Sequence, residues 1–271
     1  MIDTLLQMPP AWHAKHMTST SRIEWTERTW NPTTGCTKVS AGCTHCYAEV
    51  MAHRLRAMGT RGYERGFNLA LHESRLSEPL LRRLPTIYFV NSMSDLFHKD
   101  VPDSFLDRVL EVIRATPQHT YQILTKRARR LPRYFAQHEC PENAWLGVSV
   151  ENKRSGTPRI ADLRRVKARV RFLSIEPLLE DVGELNLTGI HWVIVGGESG
   201  HRARPMRPQW VYNVKRQCDA ARVAFFFKQW GKFGPDGVAR SKCANGRTLR
   251  GRTWDAYPKA ETSPECSVVV P

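Results

Sequence analysis

Six short apolar runs recur along the chain: Thr86–Val90, Tyr121–Leu124, Ala144–Val150, Val170–Ile175, His191–Val195 and Val223–Phe227. Each has strand length and is rich in β-branched or aromatic residues, the signature of buried β-strands. Between them lie stretches with helical periodicity. Pro102–Ala115 sets Phe105, Leu106, Val109, Leu110 and Ile113 on one face behind a first-turn proline. Tyr47–Met58, Lys126–Phe135, Thr157–Lys167 and Pro208–Ala221 are further predicted helices, and a first short strand is expected near Glu24–Trp30. Alternating β and α units predict an α/β fold with a parallel strand core and outer helices, as a full or partial (β/α) barrel. The competing doubly wound sheet is disfavoured, because no glycine-rich dinucleotide loop follows the first clear strand.

Composition adds bounds. The chain has 271 residues, 41% hydrophobic and 25% charged, enough to bury a core without staples. Disordered and fibrous classes are excluded. No apolar run approaches the roughly 20 residues of a membrane helix, and Met1–Pro10 lacks a basic segment leading into an apolar stretch. No membrane association and a cytoplasmic location are therefore expected. The expected organisation is an N-terminal arm over 1–20, one barrel-like domain over 21–257 and a tail over 258–271. Within the domain lie a cysteine loop at 31–47 and a basic third at 200–257.

Charge changes the picture more. The formal net charge is +15, and Gly200–Lys259 alone carries 14 Lys/Arg against three Asp. Lys126–Arg133 adds five basic residues and no acid. Such an excess attracts phosphate backbones. Arg202, Arg204, Arg207, Lys228 and Lys232 are the candidate nucleic-acid contacts. Trp210, Trp230, Phe233 and Trp254 are interspersed with them, as suits unstacked bases, although core packing is the better expectation for Trp230.

The polar clusters all follow strands: Asn91–Asp95, Thr125–Arg127, Ser149–Asn152, Ser174–Pro177, Gly196–Ser199 and Lys228–Gln229. In a parallel barrel these positions converge on one mouth, where active sites are built. Helix capping explains any one cluster as well, but not all six together. Seven cysteines, an odd number, argue against a disulfide framework. Three of them, Cys36, Cys43 and Cys46, form a C-x6-C-x2-C cluster just after the expected first strand. Zinc would need a fourth ligand, such as His45, His53 or a distant thiol. A [4Fe–4S] cluster can use three thiolates and leave one iron open. Unligated thiols are the third reading. Cys140, Cys218, Cys243 and Cys266 read as core or surface thiols.

Three cysteines ending in C-x2-C beside an aromatic, after strand one of a barrel, resemble the radical S-adenosylmethionine (AdoMet) superfamily. The usual spacing there is C-x3-C-x2-C, so this chain would be a variant. A longer set of ordered segments resembles a phage-associated family of uncharacterised proteins with a three-cysteine motif, found beside a "three-Cys-motif partner" protein. The segments are Ile23–Thr26, Thr29–Pro32, the cysteine loop, Ser94–His98, Leu124–Arg127, Trp145–Asn152, Arg171–Leu178, Val195–Gly200 and Phe226–Gly231. They extend over about residues 21–257. One departure is Leu249-Arg250-Gly251-Arg252, where that family tends to carry an acid at the second position.

The resemblance implies a [4Fe–4S] cluster on Cys36, Cys43 and Cys46, with AdoMet on its open iron. It further implies Ser92, Ser94 and Asp95 at the methionine amino group, Lys126 or Arg127 at its carboxylate, and Ser149, Glu151 and Asn152 at the ribose. Gly196-Gly197-Glu198 spells an amino-group motif but follows a late strand, so that role is not transferred. Glu176 and Glu198 remain as substrate or proton-transfer groups, or equally each as an ion-pair partner, for example of Arg204 or Lys228. A flavodoxin or ferredoxin would supply the electron. The expected function is modification of a nucleic-acid or nucleotide-derived substrate, in phage DNA modification or defence. The alternatives are a Zn2+-stabilised nucleic-acid-binding protein without catalysis, and a barrel hydrolase or transferase using divalent metal on Asp95, Glu151, Glu176 and Glu198.

Overall fold

The computed structural model describes Ser21 and residues 23–258. The arm expected over 1–20 lies outside the described residues, as does the expected tail beyond Pro258. In chain order the elements are β1 (Arg28–Thr29), β2 (Thr33–Thr34), α1 (Tyr47–Ala57), β3 (Ala70–Leu71), β4 (Ile87–Val90), α2 (Asp103–Ala115), β5 (Thr120–Thr125), α3 (Arg130–Tyr134), β6 (Ala144–Ser149), α4 (Pro158–Arg164), β7 (Val170–Ile175), β8 (Trp192–Gly196), α5 (Pro208–Ala220), β9 (Ala224–Gln229) and α6 (Lys242–Asn245).

Seven strands form one parallel sheet in the order β1-β4-β5-β6-β7-β8-β9, and β2 pairs antiparallel with β3. The sheet curls into a half-barrel with flanking helices, the partial form of the expected architecture. Both faces of its strands are apolar, which is why they read as continuous runs. Tyr88, Val90, Tyr121, Ile123, Leu146, Val148, Leu173, Val193 and Phe227 point outward and join the core shared with α2 and α5. Helix α2 buries Phe105, Leu106, Val109, Leu110, Val112 and Ile113 there. The alternate residues Phe89, Phe172, Trp192, Ile194 and Phe226 point into the lumen and pack with Trp25, which precedes β1. The Trp25 ring lies 6.2 Å from Trp192, edge-on, although β1 and β8 are five strands apart in the sheet. That contact requires curvature. Gly147 makes room for it, since a Cβ there would sit 2.4 Å from the Phe172 ring.

The expected helix over Lys126–Phe135 is shortened to Arg130–Tyr134. Its first residues are drawn elsewhere: the Lys126 amide donates to Asp95 Oδ2 at 3.0 Å and the Arg127 amide to Thr125 Oγ1 at 2.8 Å. Among the described residues no helix is long and apolar enough to cross a membrane.

Candidate functional site

Side-chain hydrogen bonds tie the chain after β1 to the end of β4. Asn31 Oδ1 accepts the Met93 amide at 2.9 Å, and Asn31 Nδ2 donates to Ser92 Oγ at 3.1 Å. Ser94 Oγ donates to the Thr33 carbonyl at 3.0 Å and accepts from Asn91 Nδ2 at 2.8 Å. The Gly35 amide donates to the Met93 carbonyl at 2.9 Å. Gly35 has φ +79°, and a Cβ there would sit 2.2 Å from the Asn68 carbonyl oxygen. Glycine meets both demands.

From this anchor the cysteine loop crosses the C-terminal mouth of the sheet and is bonded to four strand ends. After β5, Arg127 donates to Cys36 Sγ at 3.3 Å and to the Thr37 carbonyl and hydroxyl at 2.9 and 2.8 Å. Arg127 is itself held by Asp95 Oδ2 at 3.1 Å, and Thr125 Oγ1 donates to Asp95 Oδ1 at 2.7 Å. After β6, Ser40 Oγ donates to Glu151 Oε1 at 2.8 Å. Gly42 packs directly on that carboxylate, where a Cβ would meet Glu151 Cγ at 2.5 Å. After β8, His45 Nδ1 lies 3.4 Å from Glu198 Oε2, and Arg204 links Glu198 to the Ala41 carbonyl at 3.0 Å. After β4, the Tyr47 hydroxyl donates to the Ser92 carbonyl.

Cys36, Cys43 and Cys46 are free thiols, each half-buried. Burial, and secondly the Asp95 carboxylate, push the Cys36 thiol up against the pull of Arg127. Cys218 and Cys140 differ: burial pushes each up to about 12, so they are neutral packing thiols. Cys243 is exposed, and Cys266 lies outside the described residues.

Each strand-end carboxylate has its own cation. Glu151 is fully buried between Lys126 at 3.0 Å and Arg159 at 2.6 Å. Burial alone would raise it, but Lys126, Arg159 and Ser40 hold it below the usual carboxylate range. Glu198 is raised by burial and pulled lower by the Arg204 side chain and backbone and by His45, with a net lowering. Glu176 pairs with Lys228 at 2.6 Å. Gln229 donates to Ser199 Oγ at 3.1 Å. The glycines of Gly196-Gly197-Glu198 serve close approach: a Cβ on Gly197 would lie 1.9 Å from the Trp230 carbonyl oxygen, and one on Gly196 would lie 3.2 Å from the Glu176 carboxyl.

The mouth thus gathers Ser92, Ser94, Asp95, Lys126, Arg127, Glu151 and Glu198 around the cysteine loop. Ser149 is buried at the end of β6, in register with Ser174 of β7. Asn152 turns into its own loop, its Oδ1 accepting the Ser155 amide and hydroxyl at 2.9 and 2.7 Å. Arg204 and Lys228 are engaged with carboxylates, whereas Arg202 and Arg207 are exposed, Arg207 over the Trp210 ring. Lys232 is half-buried, and its amide donates to the Glu198 carbonyl at 2.9 Å. Trp230 is buried, its indole N–H donating to the Thr248 carbonyl at 2.9 Å. Trp254 is pressed between Lys215 and Arg252. Asn31, Ser40 and Arg159 are site residues that the sequence alone does not mark, and the sequence marks His45 only as a possible zinc ligand. Asn31 stands in a motif segment, but nothing local marks Ser40, 111 residues from Glu151, or Arg159, on the helix that follows it, as partners of that carboxylate.

A family model described as "Protein of unknown function (DUF5131)" matches residues 20–258. The chain belongs to this family. No curated protein matches it. Among solved structures, the chain is similar to spore photoproduct lyase complexed with dinucleoside spore photoproduct, at 12% identity and TM-score 0.47, covering 76% of this chain and 64% of that one. A cysteine-to-serine mutant of the lyase matches at 14% identity and TM-score 0.47, covering 68% and 59%. A double mutant with bound AdoMet and dinucleoside spore photoproduct matches at 13% and 0.44, covering 76% and 64%. The chain therefore spans about three-fifths of the length of these structures.

Among the described residues no three His, Cys, Asp or Glu side chains are gathered into a ready-made metal site. The chemistry of the cysteine loop nevertheless fits an iron–sulfur cluster with three protein ligands. Three half-buried thiols share one loop. His45 Nδ1 faces Glu198 at 3.4 Å, a contact that a zinc-binding imidazole also makes through its other ring nitrogen, so it does not weigh against zinc. A hard divalent cation fits less well, because Asp95, Glu151, Glu176 and Glu198 are each balanced by a Lys or Arg.

Proposed function

We propose that this chain is an iron–sulfur enzyme of the radical-AdoMet kind, acting on a nucleic-acid or nucleotide-derived substrate. The observation that carries this reading is the cysteine loop across the C-terminal mouth of a parallel half-barrel, bonded to residues at the ends of β4, β5, β6 and β8. Parallel barrels build their active sites on that face.

Cys36, Cys43 and Cys46 would hold the [4Fe–4S] cluster. Bound there, it would supply the electron that cleaves AdoMet to methionine and a 5′-deoxyadenosyl radical. The chain's own residues position and shield this chemistry. Arg127, fixed by Asp95, orients Cys36 and Thr37 and is the cation nearest a cysteine, so it is assigned to the AdoMet carboxylate. Lys126 is committed to Glu151, and this pair with Arg159 holds Ser40 and the middle of the loop. Ser92 and Ser94 set the loop's entry and would meet the AdoMet amino group. Ser149, Glu151 and Asn152 flank the β6 end assigned to the ribose. Glu198 is held as a carboxylate by Arg204, which suits an anchor better than proton transfer. Glu176 is the second candidate for proton transfer. Arg202, Arg207 and Lys232 would add to substrate capture. The reductant would be a flavodoxin or ferredoxin, and a three-Cys-motif protein a partner in phage DNA modification or defence.

The test is anaerobic purification followed by iron, sulfide and zinc analysis and visible spectroscopy. About four irons and four sulfides per chain are expected, absent from a Cys36→Ala/Cys43→Ala/Cys46→Ala variant. Reduction with AdoMet is expected to release 5′-deoxyadenosine. One zinc and no iron after reconstitution would overturn the reading.

A further inference from the structure

Beside the mouth, a cleft of about 1070 Å3 opens between the segments that follow β5 and β6. It lies at or above the upper end of the roughly 300–1,000 Å3 typical of small-molecule pockets. Eight Lys and Arg residues line it, against two Asp. Five of the eight are ion-paired. Both lining aspartates are also paired, Asp103 with Arg130 and Asp162 with Arg165. The remaining three, Arg129, Arg133 and Arg154, are exposed and make no ion pair among the described residues. The cleft therefore carries uncompensated positive charge. Arg129 and Arg133 are four residues apart and share one face of the α3 turn, with Cβ atoms about 5–6 Å apart. Arg154 stands on the opposite wall, after β6. Two aromatic rings line the cleft, stacked at 4.2 Å: Tyr134 is buried beneath, and half-buried His138 is the one open to the cleft. Val39 of the cysteine loop also lines it, so the cleft leads to the mouth.

We infer that this cleft is the track for a single-stranded nucleic-acid backbone, with Arg129, Arg133 and Arg154 on its phosphates. Guanidinium groups from the segments after β5 and β6, with the His138 ring in the same cleft, match a charged backbone carrying stackable bases. A concave cleft does not fit a flat anionic membrane. A single strand, unlike a duplex, needs no base extrusion to deliver a base to a recessed mouth. This deepens the nucleic-acid half of the proposed function and moves the main contact from the C-terminal third to the β5 and β6 side.

The test uses the full chain and a fluorescein-labelled single-stranded DNA of about 20 nucleotides, longer than the roughly 4–16 nucleotides of typical single-strand sites. Binding is followed by anisotropy between about 50 and 200 mM salt. The Arg129→Glu/Arg133→Glu/Arg154→Glu variant is expected to bind at least about tenfold more weakly, with a log–log salt slope smaller by about 2, since each lost phosphate contact on a single strand contributes about 0.7. A control, Arg61→Glu/Arg65→Glu/Arg216→Glu, makes the same charge change at exposed positions outside the cleft. It is expected to stay close to wild type. Equal losses in both variants, or wild-type binding by the cleft variant, would overturn the inference. So would competition by inorganic phosphate as effective, per phosphate, as by unlabelled oligonucleotide. Iron content of the cleft variant and oligonucleotide binding by the triple-cysteine variant separate the two proposals. A protein without iron whose binding still depends on the three arginines supports the cleft and removes the enzyme reading.

Discussion

Glu151 is the residue on which the mouth depends most. It is fully buried, and its two oxygens receive Lys126, Arg159 and Ser40. Removing one partner of a buried charge network leaves the others desolvated and unpaired, at a cost of about 3–5 kcal/mol. Glu151→Gln is therefore expected to lower the unfolding free energy by about that amount in urea titration. A change under about 1 kcal/mol would show that Lys126 and Arg159 find water instead. Because the folded carboxyl sits below its unfolded value of about 4.3, the unfolded chain binds the extra proton first. The contribution is full above that pH and is lost as pH falls through the lowered value. His72 acts in a different window. Burial, then Arg75, lower it to about 4, while Thr34 Oγ1 lies 2.8 Å from its Nε2. The unfolded imidazole titrates near 6.5, so the stability of the neutral half-buried form is complete above about pH 6.5 and is lost toward pH 4. Thermal melts are expected to show falling stability across that interval. His72→Gln is expected to flatten it, and an unchanged profile would assign the loss to His98 and His119, which burial also lowers.

At the scale of the element, each strand faces apolar surroundings twice, helices outside and the aromatic lumen inside. This made the strands legible: Val170–Ile175 is bounded as its apolar run predicts, and the other runs agree within one or two residues. The polar clusters were legible as strand ends for the same reason, since the apolar pattern stops where the sheet meets the mouth. Their partners were not. Ser40 meets Glu151 across 111 residues and His45 meets Glu198 across 153, and no periodicity encodes such pairs. The delayed start of α3 has the same origin, because Asp95 captures the Lys126 amide from another strand end. Gly147 carries a signal that the sequence analysis does not use, since a glycine inside a strand marks close approach. Its missing Cβ is the space taken by the Phe172 ring. Gly147→Ala forces that ring or β6 aside, an overpacking cost of about 1–3 kcal/mol. A shift in urea midpoint is expected, partly relieved in the Gly147→Ala/Phe172→Leu double variant. Purely additive losses would place the strain elsewhere.

Across the whole molecule, the half-barrel has two differently closed ends: a hydrogen-bonded cysteine loop over the C-terminal mouth and an aromatic plug in the lumen. Trp25 is the centre of the plug. It is buried before β1, with Phe89 at 4.6 Å, Trp192 at 6.2 Å and Phe172 at 6.4 Å, residues from three strands of the sheet. The Trp25 carbonyl accepts Gln122 Nε2 of a fourth strand, β5, at 3.1 Å. A flat sheet would hold β1 and β8 too far apart for one side chain to touch both neighbourhoods, so Trp25 acts as a brace on the curl. The curl in turn decides whether the ends of β4, β5, β6 and β8 converge on the cysteine loop. Trp25→Ala is expected to cost about 3–5 kcal/mol, the range for emptying an aromatic core site. It should also loosen the mouth, which lies at the opposite end of the strands and makes no contact with Trp25 in the hydrogen bonds of the loop. Hydrogen exchange separates the two effects. Under conditions where Trp25→Ala is still fully folded, faster exchange at the Gly35 and Cys43 amides, bonded to Met93 and Ser40, would mean that the plug sets the curvature on which the mouth depends. Loss of protection confined to Thr26 and Trp30, beside the plug, would mean that each end holds its own shape and that the cysteine loop is sufficient to close the mouth.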